Sequence, residues 1–228
     1  DRSSNETQHE VKITRGFWLQ KHEVTQGEWR SLMGNNPSGF PICGDYCPVE
    51  QVNWFEAVAY ANALSAQEGL PACYALSGCS GSPGKGFQCD GATFVGLSCG
   101  GYRLPTESEW EYGARAGTTG ARHGRLWSVA WYADNAGSAT HPVGGKKANS
   151  WGVHDMLGSV WEWTHDWYGL YPSGKSRDPV GPYKGQSRIV RGGSWRGGAH
   201  FARAARRDVI PPGSRYDYLG FRLVRSLP

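Results

Sequence analysis

The sequence has little methionine, no long apolar run and no large excess of charge of either sign. No apolar stretch approaches the ~18 residues of a membrane-spanning helix, so we expect no membrane span. Lys and Arg number 24 against 20 Asp and Glu. The resulting formal charge of +4 is too small to indicate nucleic acid as a partner.

Glycine, proline and tryptophan are abundant instead. The 33 Gly and 13 Pro residues exclude a helical bundle, because both residue types disfavour helix interiors. The 11 Trp residues exclude disorder, because such large side chains favour burial. A chain of 228 residues is long enough for a sizeable core. We therefore expect one loop-rich domain over residues 1–228, with a Trp-rich core, and a monomer.

The six cysteines lie in one quarter of the chain. They are Cys43, Cys47, Cys73, Cys79, Cys89 and Cys99. An even number of cysteines among Gly, Ser and Pro favours disulfides, and hence a secreted, periplasmic or cell-surface protein. A zinc site is the weaker alternative, because there is no C-x-x-C pair and no nearby His. The spacing leaves the pairing open among 15 connectivities.

Capping boxes mark three helix starts in the first half of the chain. They are Thr25-x-x-Glu28, Asn53-x-x-Glu56 and Thr106-x-x-Glu109. The predicted helices cover residues 25–33, 53–68 and 106–116. No helical pattern follows residue 117, and the predicted strands cover residues 9–14, 160–167, 188–195 and 219–224. The glycine-rich stretch 70–101, with four of the cysteines, is predicted to be a stapled excursion outside the core.

Two carboxylates, Asp155 and Glu162, are seven residues apart around a glycine turn. Strand alternation places Glu162 opposite Trp161 and Trp163, so the plain interpretation is a solvent-facing acid on a core strand. The alternative is a calcium site. The Asp155 and Glu162 side chains, with the Gly158 and Val160 carbonyls, would supply four of the six to eight oxygen ligands that Ca²⁺ takes.

Several motifs together resemble a known family. They are Gly16-Phe17-Trp18-Leu19 with Glu23-Val24-Thr25-Gln26-Gly27-Glu28-Trp29, Pro48-Val49-Glu50-Gln51-Val52-Asn53-Trp54, Tyr102-Arg103-Leu104-Pro105-Thr106-Glu107-Ser108-Glu109-Trp110-Glu111-Tyr112, Asn149-Ser150-Trp151-Gly152 with Gly158-Ser159-Val160-Trp161-Glu162-Trp163, and Val190-Arg191-Gly192-Gly193-Ser194-Trp195 with Leu219-Gly220-Phe221-Arg222-Leu223. The combination resembles the sulfatase-modifying factor domain, the fold of the formylglycine-generating enzyme. The resemblance implies an α+β, C-type-lectin-like fold with little regular secondary structure, a few helices in the N-terminal half and short antiparallel strands.

The resemblance also bears on metals. One calcium site of the family aligns with Asp155, Gly158, Val160 and Glu162, which favours Ca²⁺ as a cofactor. The family's other calcium site matches only in its first half, at Asn135 and Ala136. The short loop 141–147 replaces the acidic loop that would supply the second half.

The family's copper chemistry needs two thiolates just after the Gly-Gly-Ser motif, because Cu(I) prefers soft ligands. The aligned positions are Gly197 and Ala202, so we expect no copper and no formylglycine generation. Related iron enzymes use a histidine triad, but His154, His165 and His200 are scattered, and each is expected to be a surface or structural histidine. We expect a non-catalytic domain; the alternative is an oxidoreductase that uses another metal or cofactor.

Residues 188–225 hold nine arginines against Asp208 and Asp217. Arg203, Arg206 and Arg222 lie in motif positions and are expected to pair with core carboxylates or carbonyls. The remaining arginines could bind an acidic partner, whereas no nucleic-acid motif accompanies them.

The segment from Arg196 to Tyr218 contains no Met, Gln, Lys, Glu or Trp, the five residue types without a codon ending in a pyrimidine. Its position and flanks resemble the variable proteins of diversity-generating retroelements, in which adenines of AAY codons are randomised; chance is the alternative. The resemblance implies that residues 195–218 bind a protein or other macromolecular ligand. The candidate contacts are Arg196, Gly197, His200, Phe201, Arg207, Asp208, Val209, Ile210, Tyr216, Asp217 and Tyr218.

Overall fold

The computed structural model describes residues 3–228, and its main helices begin at the predicted capping boxes. The helices are α1 (Gln26–Met33), α2 (Trp54–Gln67), α3 (Glu107–Arg115) and the short α4 (Leu126–Val129). In each box the cap side chain accepts the N–H of the glutamate three residues on, whose carboxylate accepts the N–H of the cap residue. The three predicted helices are thereby confirmed. The sequence gives no sign of α4, since no side chain caps its start.

Short strands make up the rest of the regular structure. They are β1 (Val11–Lys12), β2 (Phe17–Leu19), β3 (Tyr74–Ser77), β4 (Ser80–Ser82), β5 (Lys85–Gln88), β6 (Gly91–Phe94), β7 (Tyr102–Arg103), β8 (Ala130–Trp131), β9 (Leu157–Gly158), β10 (Trp161–Trp167), β11 (Ser176–Arg177), β12 (Arg188–Arg191), β13 (Arg207–Ile210), β14 (Leu219–Gly220) and β15 (Val224–Ser226). The main sheet has the order β13-β12-β10-β14, and a second sheet has the order β2-β15-β7. Most pairs are antiparallel, as predicted. The pairs β1–β11, β8–β9 and β10–β14 are parallel, which their long connections permit.

Three predicted strands are shorter in the structure. The strand predicted over 188–195 ends at Arg191, because Gly192 and Gly193 adopt left-handed φ values of 102° and 83°. Residues 219–224 divide between β14 and β15, and residues 9–14 pair only at Val11–Lys12.

Tryptophans fill the centre of the molecule, as the composition predicts. Trp29, Trp54, Trp110 and Trp163 are fully buried. The Trp54 indole donates to the Thr164 carbonyl at 2.9 Å, and the Trp163 indole donates to the Val52 carbonyl at 3.0 Å. These two reciprocal bonds join the start of α2 to β10, so the core aromatics also fix the position of the central strand.

The cysteine-rich stretch 70–101 is only partly an excursion. Its strands form two small antiparallel pairs, β3–β6 and β4–β5. Its ends, however, enter the core, where Cys73, Tyr74 and Cys99 are buried in one cluster with Trp54. The prediction that the whole stretch lies outside the core is therefore wrong, because glycine content does not show where the closing disulfide places the two ends.

All six cysteines form disulfides, as predicted. The bridges are Cys43–Cys47, Cys73–Cys99 and Cys79–Cys89. Three bridges are consistent with an extracellular or periplasmic protein. Between residues 3 and 228, no helix is long and apolar enough to cross a membrane.

Candidate functional site

A groove with a volume of about 640 Å³ lies beside the edge strand β13 of the main sheet. Trp161, Val190 and Ile210 form part of its lining, and they come from β10, β12 and β13 respectively. Phe201 packs edge-on against Trp161, with the ring centroids 6.0 Å apart. The sheet therefore gives the groove a rigid apolar floor.

Nine of the eleven predicted contact residues line this groove. They are Arg196, Gly197, Phe201, Asp208, Val209, Ile210, Tyr216, Asp217 and Tyr218. The first and last residues of the segment meet here, because the Arg196 guanidinium lies 5.8 Å from the Tyr218 ring. The structure thus groups the residues, and their role in binding stays a prediction.

Arg207 and His200 are not among the lining residues. The Arg207 guanidinium is buried and donates to both carboxylate oxygens of Glu107, at 2.7 and 2.9 Å. It also lies over the Tyr171 ring at 3.9 Å, so this side chain stabilises the interior. The exposed His200 ring packs against Phe201 instead, with the centroids 4.0 Å apart.

Six further lining residues were not predicted. They are Gln51, Trp161, Val190, Ser194, Pro211 and Arg215. Pro211 and Arg215 lie inside the predicted binding segment 195–218, although they are not among its eleven candidate contacts. Trp161 and Val190 belong to core strands, and no local sequence pattern shows that a groove lies beside them.

Four N–H groups from outside the loop donate hydrogen bonds to the main chain of residues 212–218. The pairs are Trp54 N to Pro212 O (2.9 Å), Gln51 N to Tyr216 O (3.0 Å), Trp195 Nε1 to Asp217 O (3.0 Å) and Trp161 N to Tyr218 O (2.8 Å). All four acceptors are backbone carbonyls, which every residue type supplies. The main chain of the loop is thus anchored at four points, and the Arg215 side chain adds an ion pair with the buried Glu56.

The groove surface is aromatic and of mixed charge. Tyr216 and Tyr218 stack with ring centroids 4.9 Å apart and planes 5° apart. The exposed Arg196 guanidinium lies 5.8 Å from the Tyr218 ring, and Asp208 and Asp217 add negative charge. Burial raises the pKa of Tyr218, and Tyr216 adds to that increase.

Most arginines of residues 188–225 already have acidic partners within the chain. The ion pairs are Arg191–Glu111, Arg203–Glu6, Arg206–Asp208, Arg207–Glu107, Arg215–Glu56 and Arg222–Glu162. The expectation that Arg203 and Arg222 have structural roles is confirmed, and Arg206 bonds Asp208 and Ser3. Because these charges are neutralised internally, arginine density gives little support to an acidic partner.

Glu50 lies beneath the groove and is fully buried. Its two carboxylate oxygens accept the N–H groups of Gly39 and Phe40 at 2.9 and 3.0 Å. Burial raises the pKa of Glu50 to about 7, against the lowering effect of these bonds, and the charge of Asp217 adds to the increase. Phe40 in turn packs edge-on against Trp195 at 5.3 Å, so this acid helps to hold the groove's supporting loop.

The two positions aligned with the copper thiolates carry no metal-binding side chain. Gly197 lines the groove, and Ala202 is buried in a small apolar cluster. Among residues 3–228, no three His, Cys, Asp or Glu side chains are grouped so that they could hold a metal ion. The calcium prediction depends instead on two carboxylates combined with main-chain carbonyls.

The two predicted calcium carboxylates differ in their surroundings. Glu162 is fully buried rather than solvent-facing, which corrects the plain interpretation of the strand; both of its oxygens accept hydrogen bonds, from Arg222 and Trp110 at 2.7 Å. Asp155 Oδ2 accepts the Gly144 N–H at 2.6 Å, whereas its buried Oδ1 has no hydrogen-bond partner. On this observation Asp155 fits a bound cation, and Glu162 fits one only if its present bonds rearrange.

The half-matched second calcium site is filled by protein groups. Asn135 is used within its own turn, accepting the Tyr132 N–H at 2.8 Å and donating to the Ala130 carbonyl at 3.0 Å. His141 Nε2 lies 2.8 Å from the Ala136 carbonyl. The loop that replaces the acidic loop therefore bonds to the very carbonyl that a cation would need.

The model of the sulfatase-modifying factor enzyme 1-like domain matches residues 1–227. The chaperone protein LppX of Paenibacillus barcinonensis is 33% identical, over 92% of this chain and 80% of that protein. The mouse formylglycine-generating enzyme is also 33% identical, but this chain spans only 52% of its length.

Among solved structures, variable protein 1 of Treponema denticola is similar to this chain with a TM-score of 0.84 and 35% identity. The similarity covers 96% of this chain and 87% of that one. The CarF structure is similar with a TM-score of 0.72 and 29% identity, over 93% of this chain and 87% of that one. These matches confirm the predicted α+β, C-type-lectin-like fold.

Proposed function

The chain belongs to the sulfatase-modifying factor enzyme 1-like family, and we propose that it acts there as a non-catalytic domain that recognises a protein ligand through the groove beside β13. The observation that carries the proposal is the assembly of nine residues of one segment around a single groove whose loop is anchored through its backbone. A rigid framework that presents exchangeable side chains is the usual arrangement of a recognition surface.

The composition of the groove favours a protein ligand. Tyrosine and arginine are enriched at the centres of protein interfaces, because each combines a large contact area with hydrogen-bonding capacity. Tyr216 and Tyr218 form such a stacked pair, with Arg196 beside them. Asp208 and Asp217 interrupt the positive charge, which disfavours a nucleic-acid backbone as the ligand.

The similarity to a protein named a variable protein supports a further part of the proposal. We infer that residues 196–218 are diversified by a retroelement that randomises the adenines of AAY codons. Such codons cannot yield Met, Gln, Lys, Glu or Trp, and the segment contains none of these five residue types. The anchoring of residues 212–218 through backbone carbonyls supports this, since backbone acceptors persist when side chains change. With its three disulfides, the protein would act in an extracellular, periplasmic or cell-surface setting.

A binding comparison tests the groove. The purified domain is immobilised, and a panel of candidate surface proteins is measured against the parent and the double variant Tyr216→Ala/Tyr218→Ala. We expect binding to be lost in the double variant and kept in Trp18→Ala, whose half-exposed tryptophan lies outside the groove. Equal binding by parent and double variant would refute the groove as the recognition surface.

The neighbouring DNA tests the diversification separately. It should contain a near-identical copy of the coding segment for residues 196–218 and a reverse-transcriptase gene. If the DNA contains neither the copy nor the reverse-transcriptase gene, the diversification proposal is refuted. The groove proposal is unaffected, because the binding comparison tests it separately.

A further inference from the structure

A second cavity, with a volume of about 1030 Å³, lies between the N-terminal residues 6–19 and α3, and we call it the α3 cleft. Residues 6–9 and 11–19 form much of its lining, and α3 contributes Ser108, Glu111 and Tyr112 among others. The α3 cleft and the groove beside β13 share no lining residue. A cavity of this volume is large enough to hold a ligand.

Strand β1 has one paired edge and one unpaired edge. Its even-numbered residues and their neighbours bond to the chain around β11. The bonds are Ser176 N to Glu10 O and Asp178 N to Lys12 O, both 2.9 Å. Alternate residues of a strand direct their main-chain groups to opposite edges, so Val11 and Ile13 direct theirs away from β11. Within residues 3–228, the main-chain groups of Val11 and Ile13 have no hydrogen-bond partner.

The α3 cleft lies along this unpaired edge. Val11 and Ile13 line it, and so do Lys12 and Thr14, whose side chains point to the opposite face of the strand. A cavity over one face of the strand would meet only one of these two sets. Among the described residues that line the cleft, none comes from β11. The cleft therefore exposes free main-chain donors and acceptors, to which an extended chain can be added as a new strand.

Three aromatic rings extend from residues 6–19 across α3 on the surface of the cleft. The ring centroid of Phe17 is 6.4 Å from that of Tyr112, which in turn is 4.9 Å from that of Trp151. Although they contact each other, Tyr112 and Trp151 are 51% and 50% exposed. Large, half-exposed rings in a cleft provide apolar area for the side chains of a ligand.

The α3 cleft has a surplus of positive charge. Each of its three acidic lining residues is paired with an arginine from outside the lining. The pairs are Glu6–Arg203, Glu107–Arg207 and Glu111–Arg191. Lys12 and Arg15 also line the cleft and are exposed, and neither has a carboxylate within 4.0 Å in residues 3–228. Asp178 acts on Arg15 only from beyond that distance and also pairs with Arg177. The uncompensated cations favour an acidic ligand.

We propose that the α3 cleft binds an extended, acidic peptide segment of another protein, which adds as a strand to the free edge of β1. The main chain of the peptide pairs with Val11 and Ile13, and its apolar side chains pack on the aromatic rings. Its carboxylates, on the opposite face, lie near Lys12 and Arg15. Main-chain pairing supplies affinity, while the rings and the charge supply specificity. The proposal is independent of the groove beside β13, because the two sites share no residue.

A peptide array tests the proposal with the full chain. The array holds acetylated hexapeptides with Glu at every second position and varied residues other than Pro between them. The strongest binder is resynthesised with a fluorescent label, and its dissociation constant is measured by fluorescence anisotropy. We expect a copy with Lys in place of every Glu to bind at least about tenfold more weakly. If the array contains no binder, the proposal is overturned; a dimer of the chain in sedimentation would then indicate a second copy in the cleft.

N-methylated copies of the binder test strand addition directly. One copy is methylated on the main-chain nitrogens of the Glu residues, and the other on those of the residues between them. In an added strand only one of these two sets of N–H groups faces β1. We expect one copy to bind at least about tenfold more weakly and the other to stay within about threefold of the unmethylated peptide. Equal affinities of the two copies overturn the strand geometry.

Variants of the chain locate the site. Lys12→Glu/Arg15→Glu should weaken binding of the acidic peptide at least about tenfold. The matched control is Lys147→Glu/Lys184→Glu, which reverses two exposed charges outside the cleft and should leave the affinity within about twofold of the parent. Parental affinity in the first variant, or an equal loss in the control, overturns the assignment of the cleft.

Ile13→Pro removes one N–H of the free edge. Proline is tolerated on an edge strand where the N–H has no partner within the chain, so the variant should fold and bind at least about threefold more weakly. A folded Ile13→Pro with parental affinity contradicts pairing at this edge. If the variant does not fold, the N-methylated peptides still decide the question, because they leave the protein unchanged.

Discussion

The groove segment (residues 196–218) and the framework, meaning the helices and sheets that pack around it, use the same residue types in opposite ways. Arg196 is exposed at the groove, whereas Arg222 is fully buried with two hydrogen bonds to Glu162. Tyr216 is 39% exposed, whereas Tyr74 is buried against Trp54. The difference shows that framework side chains satisfy one another, while the groove is held mainly by its main chain.

The largest expected effect is at the buried ion pair of the framework. Glu162→Ala leaves Arg222 charged and buried, and should lower the free energy of unfolding by about 3–5 kcal/mol in urea denaturation. The control is Glu10→Ala, which removes the exposed ion pair with Lys175 and should cost at most about 1 kcal/mol. Similar losses of unfolding free energy in Glu162→Ala and Glu10→Ala would contradict a greater contribution of the buried ion pair.

The disulfides should differ in the same way. Removing Cys73–Cys99, which spans 26 residues and lies in the core, should cost about 3–4 kcal/mol by the chain-entropy relation. Removing Cys43–Cys47, which spans 4 residues, should cost about 2 kcal/mol. Paired Cys→Ser variants measured by thermal unfolding check this. A larger cost for the shorter bridge would contradict it.

A pH effect is expected from Asp166 in the framework. Burial, and secondarily the charge of Glu107, raises the pKa of Asp166 to about 8. The folded protein then holds a proton that the unfolded chain releases near pH 4. Stability from this group is complete below that pH and is lost as the pH rises through 8.

Asp166→Asn removes this titration and can still accept the Glu107 N–H through its amide oxygen. Between pH 5 and pH 9 the variant should lose less stability than the parent, by on the order of 1–3 kcal/mol. Parallel pH profiles of unfolding free energy for the two proteins would show that Asp166 is ionised in the folded state.

The smallest effects are expected at the groove. Arg196→Ala, Val209→Ala and Tyr216→Ala should each change the free energy of unfolding by less than about 0.5 kcal/mol, because these side chains are exposed. Trp195→Ala is the framework control and should cost about 3–5 kcal/mol. Its ring is buried, and its indole bonds the Asp217 carbonyl. A destabilising groove variant would mean that side chains, as well as main chain, hold the loop.

Sequence patterns predicted the parts of this protein that depend on neighbouring residues. The capping boxes at Thr25, Asn53 and Thr106 fixed three helix starts, because the hydrogen bonds of a cap span only three residues. The resemblance to variable proteins named nine of the fifteen residues that line the groove. The same patterns missed α4, which has no cap, and placed Glu162 at the surface, because alternation along one strand does not show what covers its second face.

The sequence alone determined the fold family, the helix starts and the absence of thiolates at positions 197 and 202. Only the tertiary structure decided that Arg207 points into the interior, that Cys73 and Cys99 enter the core and that Glu23 lies with Asp155. The physical reason is distance along the chain. Glu23 and Asp155 are separated by 132 residues, and a cluster of that kind forms only when several elements pack together.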